Sequence, residues 1–482
     1  MRRLFACALA GMIMSGCAIT QDYQRPPVDI PDKWLVDHQT AADISNTAWW
    51  EQFGDPALNA LIESALNENK DLRIASAHVQ EFTGQLQAVR SGLYPQINYG
   101  LSESRDRQSL DRTIPLPSGV DRTNSTHQVG VNVSWELDIW GRMQRATEAA
   151  RADLLSAEEA RQAVILTLVS TVATGYIDLL SLDKQLDTAR QTLASREAFL
   201  HLFERKFEGG EISGLELARV RASYEKVAEF IPDIERQIAL LQNSLSVFVG
   251  RNPGAIKRGK TLDTLVMPEV PQGIPSDLLA RRPDIRQREQ SLIAANARIG
   301  VARTQYFPAI SLTGLLGYSS ITLSDLLQNS ANQWHAGAEA LGPIFNGGRI
   351  EGDVRKAEAI QLQLLNEYLG TIQNAFREVD DSLVSIQKQR ERQKILARHI
   401  SALKDSVYFA NIRYNEKMAG YLEIVDAERN LFDTEIRYIQ TQVDLFEVIV
   451  SSYKAMGGGW VTEADKLIAR PDQKIEAADY IR

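Results

Sequence analysis

The chain has almost no cysteine: Cys7 and Cys17 are the only two in 482 residues. Both precede residue 18, so the body of the protein can hold no disulfide framework, cysteine-based zinc site or thiol nucleophile. Proline (16) and glycine (30) are sparse for this length, which points to long unbroken elements. The six histidines (38, 78, 127, 201, 335 and 399) show no H-E-x-x-H or other ligand spacing, so no metal or cofactor is expected. Positive charge is outnumbered, with 53 basic against 62 acidic residues and a net charge of −9, which argues against nucleic acid as a partner. No stretch beyond the N-terminus approaches the roughly 20 apolar residues of a membrane helix. If the protein crosses a membrane, it must do so as strands.

The N-terminus reads as an address. Arg2 and Arg3 precede the apolar run Leu4 to Met14, and Ser15-Gly16-Cys17 follows. Those small residues resemble a lipoprotein signal box, with Met14 in place of the usual Leu. Residues 1–16 would leave as signal peptide and Cys17 would become the acylated, palmitate-bearing first residue. An ordinary cleaved signal with an incidental Cys17 is the alternative. Ala18 lacks the Asp that holds bacterial lipoproteins at the inner membrane, and the resemblance therefore implies the outer membrane.

An internal duplication organises the rest. Asp71-Leu72-Arg73 matches Asp284-Ile285-Arg286 and Leu93-Tyr94-Pro95 matches Tyr306-Phe307-Pro308, both at an offset of 213. Gly141-Arg142 matches Gly348-Arg349, Leu215-Glu216 matches Leu422-Glu423 and Gly250 matches Gly457, all at 207. The difference of six residues falls between Pro95 and Gly141 and marks a loop. The division that follows is a linker at 17–46, a first repeat at 47–250, a proline-rich linker at 251–283, a second repeat at 284–460 and a polar tail at 461–482.

Each repeat changes period in the same order. From His127, Val129, Val131, Val133, Trp135, Leu137 and Ile139 alternate with polar residues, the pattern of a half-buried strand. Ile97, Tyr99 and Leu101 begin its partner, giving a hairpin at about 96–140 whose tip carries Pro115, Pro117 and Gly119. A weaker second hairpin at about 309–346 uses Ile310, Leu312, Leu316, Tyr318 and Trp334, with Leu315 out of phase. Trp135 and Trp334 suit a membrane-interface belt as well as core packing. The period then becomes seven. Ile165, Val172, Leu179, Leu186, Leu193, Leu200 and Phe207 form one seam, and Ile372, Val379, Ile386, Ile400, Val407 and Tyr414 its counterpart. Long helices are predicted at 142–207, 213–249, 349–415 and 421–456, the first running roughly 100 Å. Pro232 is expected to kink only the first repeat's returning helix. The fold class is mainly α with a β-barrel portion, built from long coiled-coil helices and two hairpins per chain.

Four strands cannot enclose a lumen, and an open sheet edge is not tolerated in lipid. Two chains give an eight-stranded barrel filled by side chains, whereas three give twelve strands and a passage, so a homotrimer is expected.

These residues resemble the outer membrane factors, the TolC-like family, most closely its OprM or NodT lipoprotein branch. The match includes Trp49-Trp50, Phe53-Gly54-Asp55, Leu137-Asp138-Ile139-Trp140-Gly141-Arg142, Arg282-Pro283-Asp284-Ile285, Phe345 to Arg349, Tyr421 to Asp426 and Gly457-Gly458-Gly459-Trp460. The resemblance implies a trimeric twelve-stranded outer-membrane barrel continued by a periplasmic helical tunnel. It implies a passive exit duct for drugs or other small solutes, not an enzyme, working with a periplasmic adaptor (membrane fusion) protein and an inner-membrane RND-type pump. An exit duct for type I secretion and a non-conducting trimeric scaffold are the alternatives.

Leu422 and Asp426 are four apart and share a helix face, so threefold symmetry would make each a ring. Spacing alone fits a coiled-coil core leucine and a solvated charge. The resemblance instead places both at a periplasmic gate, with Arg413 and Tyr414 holding it closed. Arg219 is the repeat-equivalent of Asp426, so an Arg–Asp link between neighbouring helices is a further candidate. Asp380-Asp381 diverge on a helix and read as solvated, Ser213 reads as a helix cap, and Gly457-Gly458-Gly459 reads as a helix stop.

Overall fold

The computed structural model describes residues 22–31, 34, 48–109, 111, 121–268, 278–457 and 460–468. Cys17, the tip prolines Pro115 and Pro117 and the chain end after 468 lie outside them. In chain order, a short 3-10 turn at Trp49–Phe53 leads into α1 (Pro56–Glu68), α2 (Lys70–Ser91), β1 (Gln96–Arg107), β2 (Thr123–Leu137), α3 (Arg142–Glu208) and α4 (Gly214–Phe248). After one helical turn at Leu278–Arg281 come α5 (Pro283–Thr304), β3 (Ala309–Ser320), β4 (Asn332–Leu341), α6 (Arg349–Asn415), α7 (Tyr421–Ala455) and α8 (Trp460–Lys466). The chain divides into two compact units, one holding His78–Ala157 and Gln287–Tyr368 and the other Glu158–Arg286 and Leu369 onward.

The first unit contains a single antiparallel sheet in the order β1-β2-β3-β4. The registers Tyr99↔Val131, Val131↔Leu316 and Leu316↔Trp334 place the alternating apolar residues of all four strands on one face. That face is open: Tyr99 is 91% and Trp334 74% exposed. Leu315, out of phase in the sequence, pairs with His335 on the opposite face. Asp138 leaves the ladder that its alternation predicted. Its carboxylate instead accepts hydrogen bonds from the Met143 and Gln144 amides (2.9 and 2.8 Å), satisfying two orphan donors at the start of α3. In the same unit the segment before Pro27 is tied down, with Arg145 paired to Asp22 at 2.7 Å and Arg25 donating to Glu289 through two nitrogens.

In the second unit the heptad seams meet. Ile165, Val169, Val172, Tyr176 and Leu179 of α3 pack with Ile439, Val443, Phe446 and Ile449 of α7 in one buried cluster, to which Trp49, Trp50 and Phe53 add an aromatic end. One stretch is more apolar than the sequence pattern suggested, because α3 carries an 18-residue window long and apolar enough to span a bilayer by composition. Most of that window is buried inside the chain, as befits a core helix. Helix α4 continues through Pro232. The expected linker is partly core: Ile256 and Leu262 are buried, and Asp55 Oδ2 accepts from Lys260 N (3.0 Å) and from the Tyr176 hydroxyl (2.7 Å). The expected polar tail begins with α8, whose Val461 and Ala464 are buried and whose Asp465 pairs with Arg161.

The duplication extends to how helix ends are held. Asn69, before the first Asp-Leu-Arg, donates Nδ2 to the Phe248 carbonyl at the end of α4 (2.9 Å). Arg282, its equivalent, donates Nη1 to the Ala455 carbonyl at the end of α7 (3.0 Å). Phe248 and Ala455 are themselves separated by 207. The same clamp is thus built from an amide in one copy and a guanidinium in the other.

One interhelical contact responds to pH. Asp178 of α3 and Glu447 of α7 share a hydrogen bond, and burial followed by the Asp178 charge pushes the Glu447 carboxyl up from 4.5 to about 7. Burial also raises Asp178. Nearby Asp444 is engaged by Gln440 Nε2 at 3.0 Å and by Arg392 at 3.8 Å. A carboxyl whose folded pKa is raised favours the folded state fully below its unfolded pKa and loses that contribution as pH rises through the folded value. Melting temperature should therefore fall as pH rises from 4.5 to about 7. Glu447→Gln should flatten that slope and raise the melting temperature above pH 7, which differential scanning fluorimetry across pH checks; an unchanged slope would contradict the shared proton.

Candidate functional site at the helix turns

Two turns join the long helices, one from α3 to α4 and one from α6 to α7. Both α3 and α6 end in the same motif. After α3, Gly210 N and Glu211 N bond back to the Phe207 and Lys206 carbonyls; after α6, Lys417 N and Met418 N bond back to Tyr414 and Arg413. The motif needs a left-handed residue. Gly210 supplies it at φ +73°, while its repeat-equivalent Lys417 adopts φ +59° at a steric cost glycine avoids. The helix starts differ as well. Ser213 and Glu216 form a capping box on α4, whereas the equivalent Gly420 gives α7 no side-chain cap. The second turn is the less stabilised of the two.

Aromatic packing holds the turns together. Phe203, buried, lies 4.2 Å from the Tyr421 ring centroid and stacks with Tyr414 at 6.2 Å, and Tyr414 meets Tyr421 edge-on at 5.8 Å. Lys206 Nζ donates to the Tyr414 hydroxyl at 3.0 Å and sits over the Tyr414 and Phe203 rings at 5.2 and 5.5 Å. Burial, then the Glu428 charge, raises the Tyr421 hydroxyl well above the ordinary phenol range, so it stays neutral.

The charged candidates are held more loosely. Arg413 Nη1 lies 3.2 Å from Glu423 Oε2, linking the end of α6 to the start of α7. Asp426 Oδ1 lies 3.2 Å from Arg429 Nη2 one turn on. All four side chains are about half exposed, so each pair contributes roughly 0–1 kcal/mol, less than the roughly 0.5–1.5 kcal/mol of each aromatic pair. The turn therefore rests on its rings, and its charges are free to re-pair. Leu422 is 48% exposed and is not coiled-coil core within the chain.

The structure brings Arg413, Tyr414, Leu422 and Asp426 to one end of the second unit. The Arg219–Asp426 link is not made within the chain: Asp426 pairs with Arg429, and Arg219 is exposed on α4. Arg429 follows Asp426 by three, so that pair was legible as a helical neighbour. Phe203, Lys206, Tyr421 and Glu423 were not singled out, because their contacts cross between helices. Among the described residues no group of His, Cys, Asp and Glu could hold a metal ion.

Comparison with known proteins follows the internal duplication of the chain. The family model described as "Outer membrane efflux protein" covers residues 61–251 and 274–458, one segment for each repeat. The chain belongs to that family. It is 34% identical over 466 residues to "Cation efflux system protein CusC" of Escherichia coli, covering 95% of this chain and 98% of that one. It is 33% identical over 462 residues to "Toluene efflux pump outer membrane protein TtgF" of Pseudomonas putida, covering 93% and 95%. Among solved structures, the open state of the Neisseria gonorrhoeae MtrE outer membrane channel aligns with TM-score 0.82 at 27% identity, covering 92% of this chain and 99% of that one. The chain is an outer-membrane efflux channel component that extends into the periplasm, and its family is one of channel proteins.

Proposed function

We propose that three copies of this chain close one barrel and form a passive exit duct, fed by an inner-membrane RND-type pump through a periplasmic adaptor. The observation that carries this is the sheet. Its four strands expose an apolar face, and among the described residues β1 pairs only with β2 and β4 only with β3, leaving both edges unpaired. Lipid does not tolerate such edges, and three copies supply the twelve strands that remove them and leave a passage. The relatives' names mention cations and toluene, so the cargo follows the pump more than this fold. Acylated Cys17 anchors the chain. Five residues on, Asp22 pairs with Arg145 near the start of α3.

Leu422 and Asp426 form the periplasmic gate, with Arg413 and Tyr414 holding α7 and Arg219 facing a neighbouring chain. With intrachain pairs this weak, removing the ring charge should loosen the closed state. Asp426→Ala and Leu422→Ala are expected to raise closed-state conductance in planar bilayers several-fold, and unchanged conductance in both would discard the gate.

A further inference from the structure

The duplication reaches the registers of the sheet. Adding 213 to each β1 residue and 207 to each β2 residue turns Gln96↔Ser134 into Ala309↔Leu341 and Arg105↔Ser125 into Tyr318↔Asn332, which are the two end pairs of the β3–β4 hairpin. The two hairpins are therefore one register used twice. In addition β2 pairs with β3, the first strand of the other repeat. The counterpart of that ladder is β4 against a β1, and among the described residues it is not made, because β1 and β4 are the outer strands.

A difference between the repeats marks what is missing. β2 continues past the start of β1, so that Trp135, Glu136 and Leu137 pair with β3 alone. The equivalent Gly342, Pro343 and Ile344 follow the last residue of β4 and belong to no strand, and Ile344 is fully exposed. The first-repeat residues have a strand beside them, and the second-repeat residues have none.

We propose that β4 pairs antiparallel with β1 of the next copy in the register that β2 keeps with β3, an inference that rests on the reading of three copies closing one barrel. Shifting the β2–β3 ladder by the same offsets turns Val133↔Gly314 into Ala340↔Leu101, Trp135↔Leu312 into Gly342↔Tyr99 and Gln128↔Ser319 into His335↔Asp106, with the second residue of each pair on the next copy. Side-chain chemistry agrees with this arithmetic. Leu101 and Tyr99 fall on the face that carries Trp334, whereas a slip of one residue would turn them to the other face. Gly342 leaves room beside the exposed Tyr99 ring, and His335 meets a carboxylate rather than a like charge. Ile344 falls opposite the exposed Ile97; Pro343 brings no N–H to the ladder, so that last contact is between side chains.

The test is disulfide trapping in the full-length mature protein in mild detergent, with copper phenanthroline as oxidant and a denaturing gel as readout. Ala340→Cys is combined in turn with Leu101→Cys, Tyr99→Cys and Glu103→Cys, and Glu339→Cys with Ser102→Cys supplies the adjacent opposed pair, since successive pairs alternate in closeness. The better of the two opposed pairs should give at least about fivefold more covalent trimer than either diagonal, because opposed Cβ atoms lie roughly 4.5–5.5 Å apart and diagonal neighbours roughly 7–8 Å. Preferential linking of a diagonal, or no link from any pair, in a complex that native mass spectrometry still finds to contain three chains would overturn the register and leave the barrel reading standing. A complex of one or two chains would remove both. Should the Leu101→Cys variant not assemble, Glu339→Cys with Ser102→Cys decides, against Glu339→Cys with Ser104→Cys as its diagonal.

Discussion

Gly250→Ala should cost on the order of 3 kcal/mol or more and sharply reduce the yield of folded protein. Gly250 ends α4 at φ +75°, a left-handed conformation that costs an L-residue roughly 1–2 kcal/mol. Crowding costs more than the backbone angle does. A Cβ there would stand 2.2 Å from the Glu68 carbonyl oxygen and 2.5 Å from its carbonyl carbon, both backbone atoms at the end of α1. Relieving that contact means separating α1 from α4, and with them the clamp in which Asn69 holds the Phe248 carbonyl. The repeat supplies an internal check, since Gly457 has φ +74° and a Cβ there would lie 2.8 Å from Arg282 Cα, so Gly457→Ala should be comparably severe. Gly370, inside α6 with nothing within 4 Å, is the contrast: alanine there should be neutral or stabilising by about 0.5–1 kcal/mol. Chemical denaturation of the detergent-solubilised variants gives the ordering, and a mild Gly250→Ala would show that the α1–α4 contact is less close than described.

Arg282→Met should cost roughly 2–4 kcal/mol. The Arg282 side chain is 7% exposed and makes four hydrogen bonds: Nε and Nη2 to the Asp284 carboxylate (3.0 and 2.7 Å), and Nη1 to Glu378 Oε2 (2.8 Å) and the Ala455 carbonyl (3.0 Å). Methionine fills similar volume but strands a carbonyl and removes the cation from two carboxylates. Those carboxylates are partly exposed and recover some hydration, which places the cost below that of a fully buried pair. Arg282→Lys should recover little, because one ammonium cannot reproduce the planar fork on Asp284 while reaching Ala455. Thermal melts of both variants check this; full rescue by lysine would mean that charge alone, without geometry, suffices.

Much of the fold was legible because its signals are local. The alternation through Val129, Val131 and Val133 and the sevenfold seam from Ile165 to Phe207 are properties of neighbouring residues, and each became the element its period required. The pairing of β2 with β3 was not legible, since it joins segments from different repeats. Nor was the role of Gly250, where the positive φ and the approach of Glu68 come from a contact across about 180 residues of chain. The α8 segment escaped because seven residues are too few to display a period. At the helix turns the residue types were readable but not their partners. Lys206 reaching Tyr414, and Arg196 leaving two of its nitrogens without an acceptor, depend on how two long helices are rotated against each other, and small rotations exchange one neighbour for another. The expected Arg219–Asp426 link failed within the chain for that reason, because a local i,i+3 partner, Arg429, stands nearer.

A closed duct depends on the two unpaired edges of the β1-β2-β3-β4 sheet finding partners in identical chains. Native mass spectrometry of the mature protein released from mild detergent measures this directly. The prediction is a complex of three chains that persists until detergent conditions unfold the sheet. A stable, folded complex of one or two chains would contradict it.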